Sequence, residues 1–277
     1  MSDEVFQTFN SSGTLQLDAA YLPYNLAASG TVYESYPSTA GTYFYEITFT
    51  GASSNTVPLL FIRPLKSDGT VGTVWDSVGP NLPTCVGLVR QVRSGNSTTW
   101  YFENSSPPTK ASTDNPLQYW IFDVVSSSQL HGVGLELFDA TGVCSFSATS
   151  QPLNIETTIQ LPAPVKDLDN NGWYPYGYGP TYGPSGPSGT YKGPEWWYLN
   201  QTLTSKNYAI HVGLWRIGVY KGGYWEHVVE YFGVENTGLT ATASRLGDYF
   251  AYGDGQNYAW QSSTITPQVL FIDIDKY

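Results

Sequence analysis

The most regular feature of the chain is an alternation of apolar and polar side chains over short runs. In the clearest run, residues 42–50, every second position is apolar: Tyr43, Tyr45, Ile47 and Phe49. Period-two alternation is typical of a β-strand with one buried face. Comparable runs cover residues 57–63, 85–92, 98–102, 119–125 and 133–138, and later 196–200, 208–220, 225–234, 248–252 and 268–273. The pattern therefore predicts strands along most of the chain.

Turn-forming residues separate these runs. They cluster at 67–70, at 94–96 and at 104–108, and Gly222-Gly223 has the glycine pair that a type I′ hairpin favours. No segment has the period of an amphipathic helix. Seven or more short strands at this spacing predict an all-β fold, specifically an antiparallel β-sandwich.

The composition changes between residues 162 and 194. Within 172–194 there are seven Gly and five Pro, interleaved with five Tyr. Pro removes backbone donors and Gly weakens packing, which is typical of a connector, while the tyrosines favour one that packs on a neighbouring surface. We therefore predict a β-sandwich over 1–161, a Gly/Pro/Tyr-rich connector over 162–194, and a second, smaller all-β domain over 195–277.

One internal repeat occurs at an offset of 129 residues. The motif Phe9-Asn10-Ser11-Ser12-Gly13 returns as Phe138-Asp139-Ala140-Thr141-Gly142, and the register continues as far as Leu26 and Ile155. An Asn or Asp that opens a tight turn and a Gly that closes it are typical of a β-hairpin. The repeat thus predicts two equivalent hairpins that bracket the first 160 or so residues.

Composition and charge narrow the functional classes. The 277 residues carry 12 Lys and Arg against 23 Asp and Glu, for a formal net charge of −11. Binding to nucleic acid or to an anionic membrane surface requires clustered cations, which no window supplies. No apolar run is long enough to cross a bilayer. Residues 1–6 lack the apolar core of a secretory signal, so we expect synthesis in a cytoplasm and no secretory route.

A calcium loop and an unliganded turn are the two readings of residues 167–172. Asp167, Asp169 and Asn171 supply oxygens at positions one, three and five of such a loop, and Gly172 follows as the turn residue. Position twelve, where a bidentate Glu would complete the site, is Tyr178. The turn is therefore the favoured reading, and apart from this calcium the sequence indicates no cofactor.

Candidate catalytic groups lack a recognisable arrangement. The chain has no Gly-x-Ser-x-Gly elbow. His211 and His227 flank the Gly-Gly hairpin but are out of register for direct opposition, so both are expected to be satisfied strand histidines. The pairs Glu226/Glu230 and Asp273/Asp275 fit solvated surface carboxylates. Cys85 and Cys144 are expected to be buried free thiols, and we predict that the protein is not an enzyme.

Aromatic residues in the second part of the chain are the remaining functional candidates. They exceed what a small core needs, and aromatic rings stack on sugars and anchor protein interfaces. We predict a binding surface from Trp173, Tyr174, Tyr176, Trp196, Trp197, Tyr198, Trp215, Tyr224 and Trp225.

The chain resembles small β-rich virion proteins of tailed bacteriophages over roughly residues 5–160. The resemblance rests on the two motifs at 9–13 and 138–142 and on the run Leu59–Pro64. Such proteins often open and close a domain with hairpins of this kind, and they occur among tail-tip, baseplate and fibre components. The resemblance implies no catalytic residue.

The function implied is that of a structural protein of a phage tail (tail tip, baseplate or fibre) that mediates assembly and contacts the host surface. It would be made in the host cytoplasm and incorporated in the virion, with other tail proteins and a host glycan or protein as partners. A homo-oligomer is expected, with a trimer favoured. The alternatives are a lectin-like carbohydrate-binding module, a capsid decoration protein and, least favoured, a polysaccharide depolymerase.

Overall fold

The structure is a computed structural model. It describes residues 7–9, 15–18, 24–33, 44–51, 53–65, 86–104, 116–124, 135–138, 144–147, 150–161, 165–166, 173–174, 197–213, 217–221, 225–235, 238–245 and 266–277. The predicted strand 248–252 lies outside these residues.

The described residues form strands and one 3-10 helix, Ile274–Lys276. Up to residue 160 the strands are β1 (Gln7–Phe9), β2 (Leu15–Asp18), β3 (Asn25–Tyr33), β4 (Tyr45–Thr50), β5 (Leu59–Pro64), β6 (Val86–Ser94), β7 (Ser97–Asn104), β8 (Pro116–Asp123), β9 (Glu136–Phe138), β10 (Cys144–Ser147) and β11 (Thr157–Gln160). Those that follow are β12 (Val165–Lys166), β13 (Trp173–Tyr174), β14 (Trp197–Thr202), β15 (Tyr208–Val212), β16 (Ile217–Lys221), β17 (Trp225–Glu235), β18 (Gly238–Arg245) and β19 (Gln268–Asp273). The prediction of an all-β fold is confirmed.

Two antiparallel sheets enclose the core. The first sheet has the strand order β11-β19-β15-β5-β8-β3, and the second has the order β14-β18-β17-β6-β7-β4, with β16 also paired to β17. Side chains of both sheets meet in one apolar cluster that includes Ile47, Ile62, Trp100, Phe232 and Phe271, each at most 4% exposed. This arrangement is a β-sandwich.

Strand β4 shows why alternation predicts the buried face. Tyr45 and Ile47 point into the core with 0% and 2% of their surface exposed, while Glu46 and Thr48 between them are exposed. Their neighbour β7 follows the same rule, because Trp100 and Phe102 are buried as well.

The first sheet is apolar on both faces. Phe61, Phe122, Ala209 and Ile272 form a second buried cluster, and in β5 and β8 these residues alternate with members of the main cluster. Partly buried side chains from residues 150–161 and 274–277 pack against this second cluster. The pattern groups residues 57–63 with the alternating runs, but β5 is buried on both faces, and this coverage explains its continuous apolar stretch from Leu59 to Ile62.

Each sheet is continuous through a narrow junction. Among the described residues, β5 pairs with β15 in the first sheet only at Ile62 and Ile210, and β6 pairs with β17 in the second only at Val86 and Phe232. We call β3–β8 the N-terminal half, and β11 with β14–β19 the C-terminal half. Each half contributes strands to both sheets.

The described strands do not separate along the predicted boundaries. Strand β11 precedes residue 161 but pairs with β19, so it lies in the C-terminal half. Side chains from both sides of the connector also share the main core cluster. The domain boundaries 1–161, 162–194 and 195–277 stay predictions.

Two short hairpins stand apart from the large sheets in strand pairing. Among the described strands, β1 and β2 pair only with each other, as do β9 and β10. Their registers are the same at the offset of 129 residues: Gln7↔Asp18, Thr8↔Leu17 and Phe9↔Leu15 correspond to Glu136↔Ser147, Leu137↔Phe146 and Phe138↔Cys144. Each hairpin also has its register shift at the same place. The predicted pair of equivalent hairpins is confirmed.

Candidate functional site

The predicted aromatic surface is spread over several strands. Trp173 and Tyr174 form β13, Trp197 and Tyr198 begin β14, and Trp225 begins β17. Tyr176, Trp196, Trp215 and Tyr224 lie outside the described residues.

The strand register places Trp197 and Trp225 at different levels along the second sheet. Trp197 pairs with Ala243, which in turn pairs with Glu230 of β17, five residues from Trp225. At about 3.4 Å per residue this is an offset of roughly 17 Å along the sheet. The described backbone therefore does not bring Trp197 and Trp225 to the same level, and the binding surface as a whole stays a prediction.

The predicted calcium ligands Asp167, Asp169 and Asn171 also lie outside the described residues. The strands on either side of them pair antiparallel, with Lys166 opposite Trp173. The segment 167–172 thus connects the two strands of a hairpin, and calcium binding stays a prediction. Cys85 lies outside the described residues, and Cys144 begins β10.

The two histidines lie in different sheets. The expected strand 208–220 is wrong as a single element: Tyr208–Val212 belongs to the first sheet, and Ile217–Lys221 to the second. The hairpin at Gly222-Gly223 therefore joins β16 to β17, where Val219 pairs with His227, and His211 is on neither strand. The alternation of apolar and polar residues did not show that the chain passes from the first sheet at β15 to the second sheet at β16.

His211 is a satisfied strand histidine, as expected. Its Nδ1 atom lies 2.9 Å from the carbonyl oxygen of Leu60, across the junction between β15 and β5. The ring is also 5.5 Å from that of Phe61. Burial lowers the pKa of His211 and outweighs the opposing effect of the bond to Leu60, so the imidazole is neutral near pH 7.

Glu156, Lys206, Lys276 and Asp273 form a cluster of charged side chains at one end of the first sheet. Glu156 accepts hydrogen bonds from Lys206 and from Lys276, the latter at 2.8 Å. These two bonds lower the pKa of Glu156 to about 2. Lys206 Nζ also lies 3.9 Å from Asp273 Oδ2. The cluster connects the segment 150–161 to the residues that precede β15 and follow β19, which is a structural role.

A neighbouring series of hydrogen-bonded polar side chains links three segments at the same end of the first sheet. Arg63 of β5 donates to Asn207 Oδ1 at 3.3 Å, and Asn207 Nδ2 donates to both carboxylate oxygens of Asp275, at 2.8 and 2.9 Å. Burial lowers the pKa of Arg63, and the charge of Asp275 opposes that shift. Asp275 is exposed, as expected of a solvated carboxylate, and Asp273 is half-buried; each also has a structural partner.

At the opposite end of β5, a cleft of about 470 Å³ opens between the halves. It is bounded by Val57–Leu60 and Ile62, by residues 88–91 of β6, by Trp100 and Phe102, and by residues 210–213. In the described part of the chain, these strands pair across the two halves at one residue pair in each sheet. The cleft lies where β5 and β15, and likewise β6 and β17, are no longer paired.

Few polar side chains line this cleft. Among the described lining residues, and apart from the indole N–H of Trp100, they are Arg90, Gln91 and His211. The Arg90 guanidinium lies 5.7 Å from the ring centroid of Tyr101, a cation–π distance that orients the charged group. Sequence analysis singled out only His211 of these three, because the cleft depends on long-range pairing that periodicity does not encode.

Comparison of the chain with protein-family models, with curated proteins and with solved structures gives no match. In the described part of the chain, no group of three or more His, Cys, Asp or Glu side chains is placed to hold a metal ion. The helices described there include none with the length and apolar character needed to span a membrane.

Proposed function

We propose that this protein is a structural virion protein of a phage tail, at the tail tip, in the baseplate or in a fibre. The observation that supports the proposal best is the duplicated hairpin, whose two copies have one register and one bulge position at a fixed offset of 129 residues. The motifs that form these hairpins are the ones that resemble tailed-phage virion proteins. Their equivalence in backbone pairing makes a chance sequence match a poor explanation.

The segments that follow the two hairpins also pair with each other. The Leu26 N–H donates to the carbonyl of Gln151 at 2.8 Å, and the Leu153 N–H donates to the carbonyl of Tyr24 at 2.7 Å. Tyr24 and Leu153 are equivalent positions of the repeat, because 24 plus 129 is 153. Antiparallel pairing of a position with its own equivalent is the relation expected for two units about a local two-fold axis.

The hairpins suit contacts with neighbouring subunits. A hairpin that pairs with no further strand is marginally stable by itself. Leu135 precedes the second hairpin and is 58% exposed, and Phe138 at the end of its strand β9 is 48% exposed. Exposed apolar side chains next to an unsupported hairpin favour burial against a partner. In this proposal the partners are other tail proteins or further copies of the chain, with a trimer favoured.

The aromatic residues after the connector would supply the contact with a host glycan or protein. Capsid decoration and a free-standing lectin-like module are the rival functions. Mass spectrometry of purified, intact virions tests the proposal: the account expects the chain among the structural proteins, at a copy number in whole-number ratio to known tail components. Absence from intact virions would contradict it, and a copy number matching the capsid would favour decoration.

A further inference from the structure

The junction between β5 and β15 is supported on its cleft side by a side chain. Among the described residues, the backbones of these two strands pair at Ile62 and Ile210. Nearer the cleft, Nδ1 of His211 on β15 lies 2.9 Å from the carbonyl oxygen of Leu60 on β5. Both residues line the cleft. The junction in the first sheet thus combines one backbone pair with one side-chain hydrogen bond at the edge of the cleft.

The partner of His211 determines where its proton lies. A carbonyl oxygen only accepts hydrogen bonds, so Nδ1 is the donor and the neutral ring carries no proton at Nε2. The side chain is half-buried, and its ring lies 5.5 Å from that of Phe61. Burial lowers the pKa of His211 more than the bond to Leu60 raises it. The closed junction therefore favours the neutral ring.

The described lining of the cleft contains no carboxylate that would compensate a charged imidazole. The charged residue of that lining is Arg90, and the charged residue of β5 is Arg63. Both are cations, which disfavour a further positive charge. The charged residue of β19 is Asp273, at the end of the strand and 3.9 Å from Lys206. The segments 150–161 and 274–277 carry charged groups that have partners at the opposite end of the first sheet: Glu156, Asp275 and Lys276.

We propose that His211 is an acid-sensitive latch that holds β5 and β15 together beside the cleft. When the ring takes up a proton at Nε2, water stabilises the added charge better than the contact with Phe61 does, so the two strands separate locally and the cleft widens. The junction of Val86 with Phe232 and the main core cluster do not include His211, so the halves stay associated. The latch requires only the folded chain and does not depend on a place in a virion.

Hydrogen exchange of the full chain, followed by mass spectrometry at pH 7.5 and pH 5.5, tests this latch. An open state in which His211 has its ordinary pKa of 6.5 gains population about tenfold between these two pH values. After correction for the intrinsic exchange rate, peptides covering 57–64 and 208–213 should exchange up to about tenfold faster at pH 5.5. A peptide covering 97–104 should show no such change.

His211→Gln keeps a hydrogen-bond donor at this position and removes the titration, so the difference between the two pH values should disappear. His227→Gln is the matched control, because His227 lies in β17 of the second sheet, and this variant should keep the full difference. The wild-type comparison decides the proposal even where a variant is unstable. Equal exchange of the wild-type peptides at the two pH values, or a uniform increase along the chain, would overturn it. An unchanged difference in His211→Gln, or its loss in His227→Gln, would do the same.

Discussion

At the residue scale, the contact between Gly51 and Asp123 shows how closely the two sheets approach. Asp123 at the end of β8 is 1% exposed, and its Oδ1 accepts the Val124 N–H at 2.8 Å. Its Oδ2 has no hydrogen-bond partner in the described part of the chain. That atom occupies the space that a Cβ on Gly51 would need. Glycine is therefore required there by close packing.

Gly51→Ala should destabilise the protein by about 1–3 kcal/mol, because the added methyl group overlaps a buried carboxylate that has little room to move. The measurement is the free energy of unfolding from urea denaturation. In an Asp123→Ala background the same substitution should cost less than about 1 kcal/mol. An equal cost in both backgrounds would show that this contact is not the cause.

Glu156 makes the fold sensitive to acid. Its pKa is about 2 in the folded protein, against an ordinary value of 4.5, so the folded state holds this proton less tightly than the unfolded state. The resulting stabilisation is complete above pH 4.5 and is lost as the pH falls towards 2. Glu156→Gln should therefore lower the urea midpoint at pH 7 and have a shrinking effect as the pH approaches 2. A difference from wild type that is constant with pH would contradict this role.

His211 gives a second pH dependence, in a higher range. Burial places its folded pKa below the ordinary value of 6.5, so the unfolded chain takes up the proton first on acidification. Stability should be complete above pH 6.5 and decrease below it. His211→Gln should remove this decrease between pH 7 and pH 5, as measured by thermal unfolding at each pH. An unchanged profile in the variant would assign the decrease to other groups.

At the element scale, the halves are joined by the shared core cluster and by the two narrow junctions seen among the described strands. Phe232 is fully buried and is the β17 residue that pairs with Val86 of β6. It also belongs to the core cluster shared by both halves.

Phe232→Ala should cost about 3–5 kcal/mol of unfolding free energy, the range for removing a large buried aromatic side chain. Phe138→Ala is the control, because that side chain is 48% exposed and its loss should cost under about 0.5 kcal/mol. Guanidinium denaturation measures both. Similar costs for the two variants would contradict the role of the junction.

Local patterns predict elements well here and predict their assembly poorly. Alternation identified β4 and its buried residues Tyr45 and Ile47, and the repeat identified both hairpins with their register. Turn chemistry placed the β6–β7 turn at Gly95, whose φ of 60° favours glycine. The division of 208–220 between two sheets and the pairing of β11 with β19 depend on contacts distant in sequence. The cleft follows from those contacts, so Arg90 and Gln91 carried no local signal.

At the scale of the whole molecule, two halves share two sheets and one core, and two equivalent hairpins pair outside those sheets. At the second hairpin, the chain leaves the apolar side chains of Leu135 and Phe138 exposed. The exposed apolar side chains at the second hairpin support the proposal that the chain is a building block of a larger assembly.

The most direct test of this account is immunogold electron microscopy of intact virions with an antibody raised against residues 195–277. The account predicts gold particles at the distal end of the tail. Labelling confined to the capsid, or no labelling of virions that contain intact tails, would contradict it.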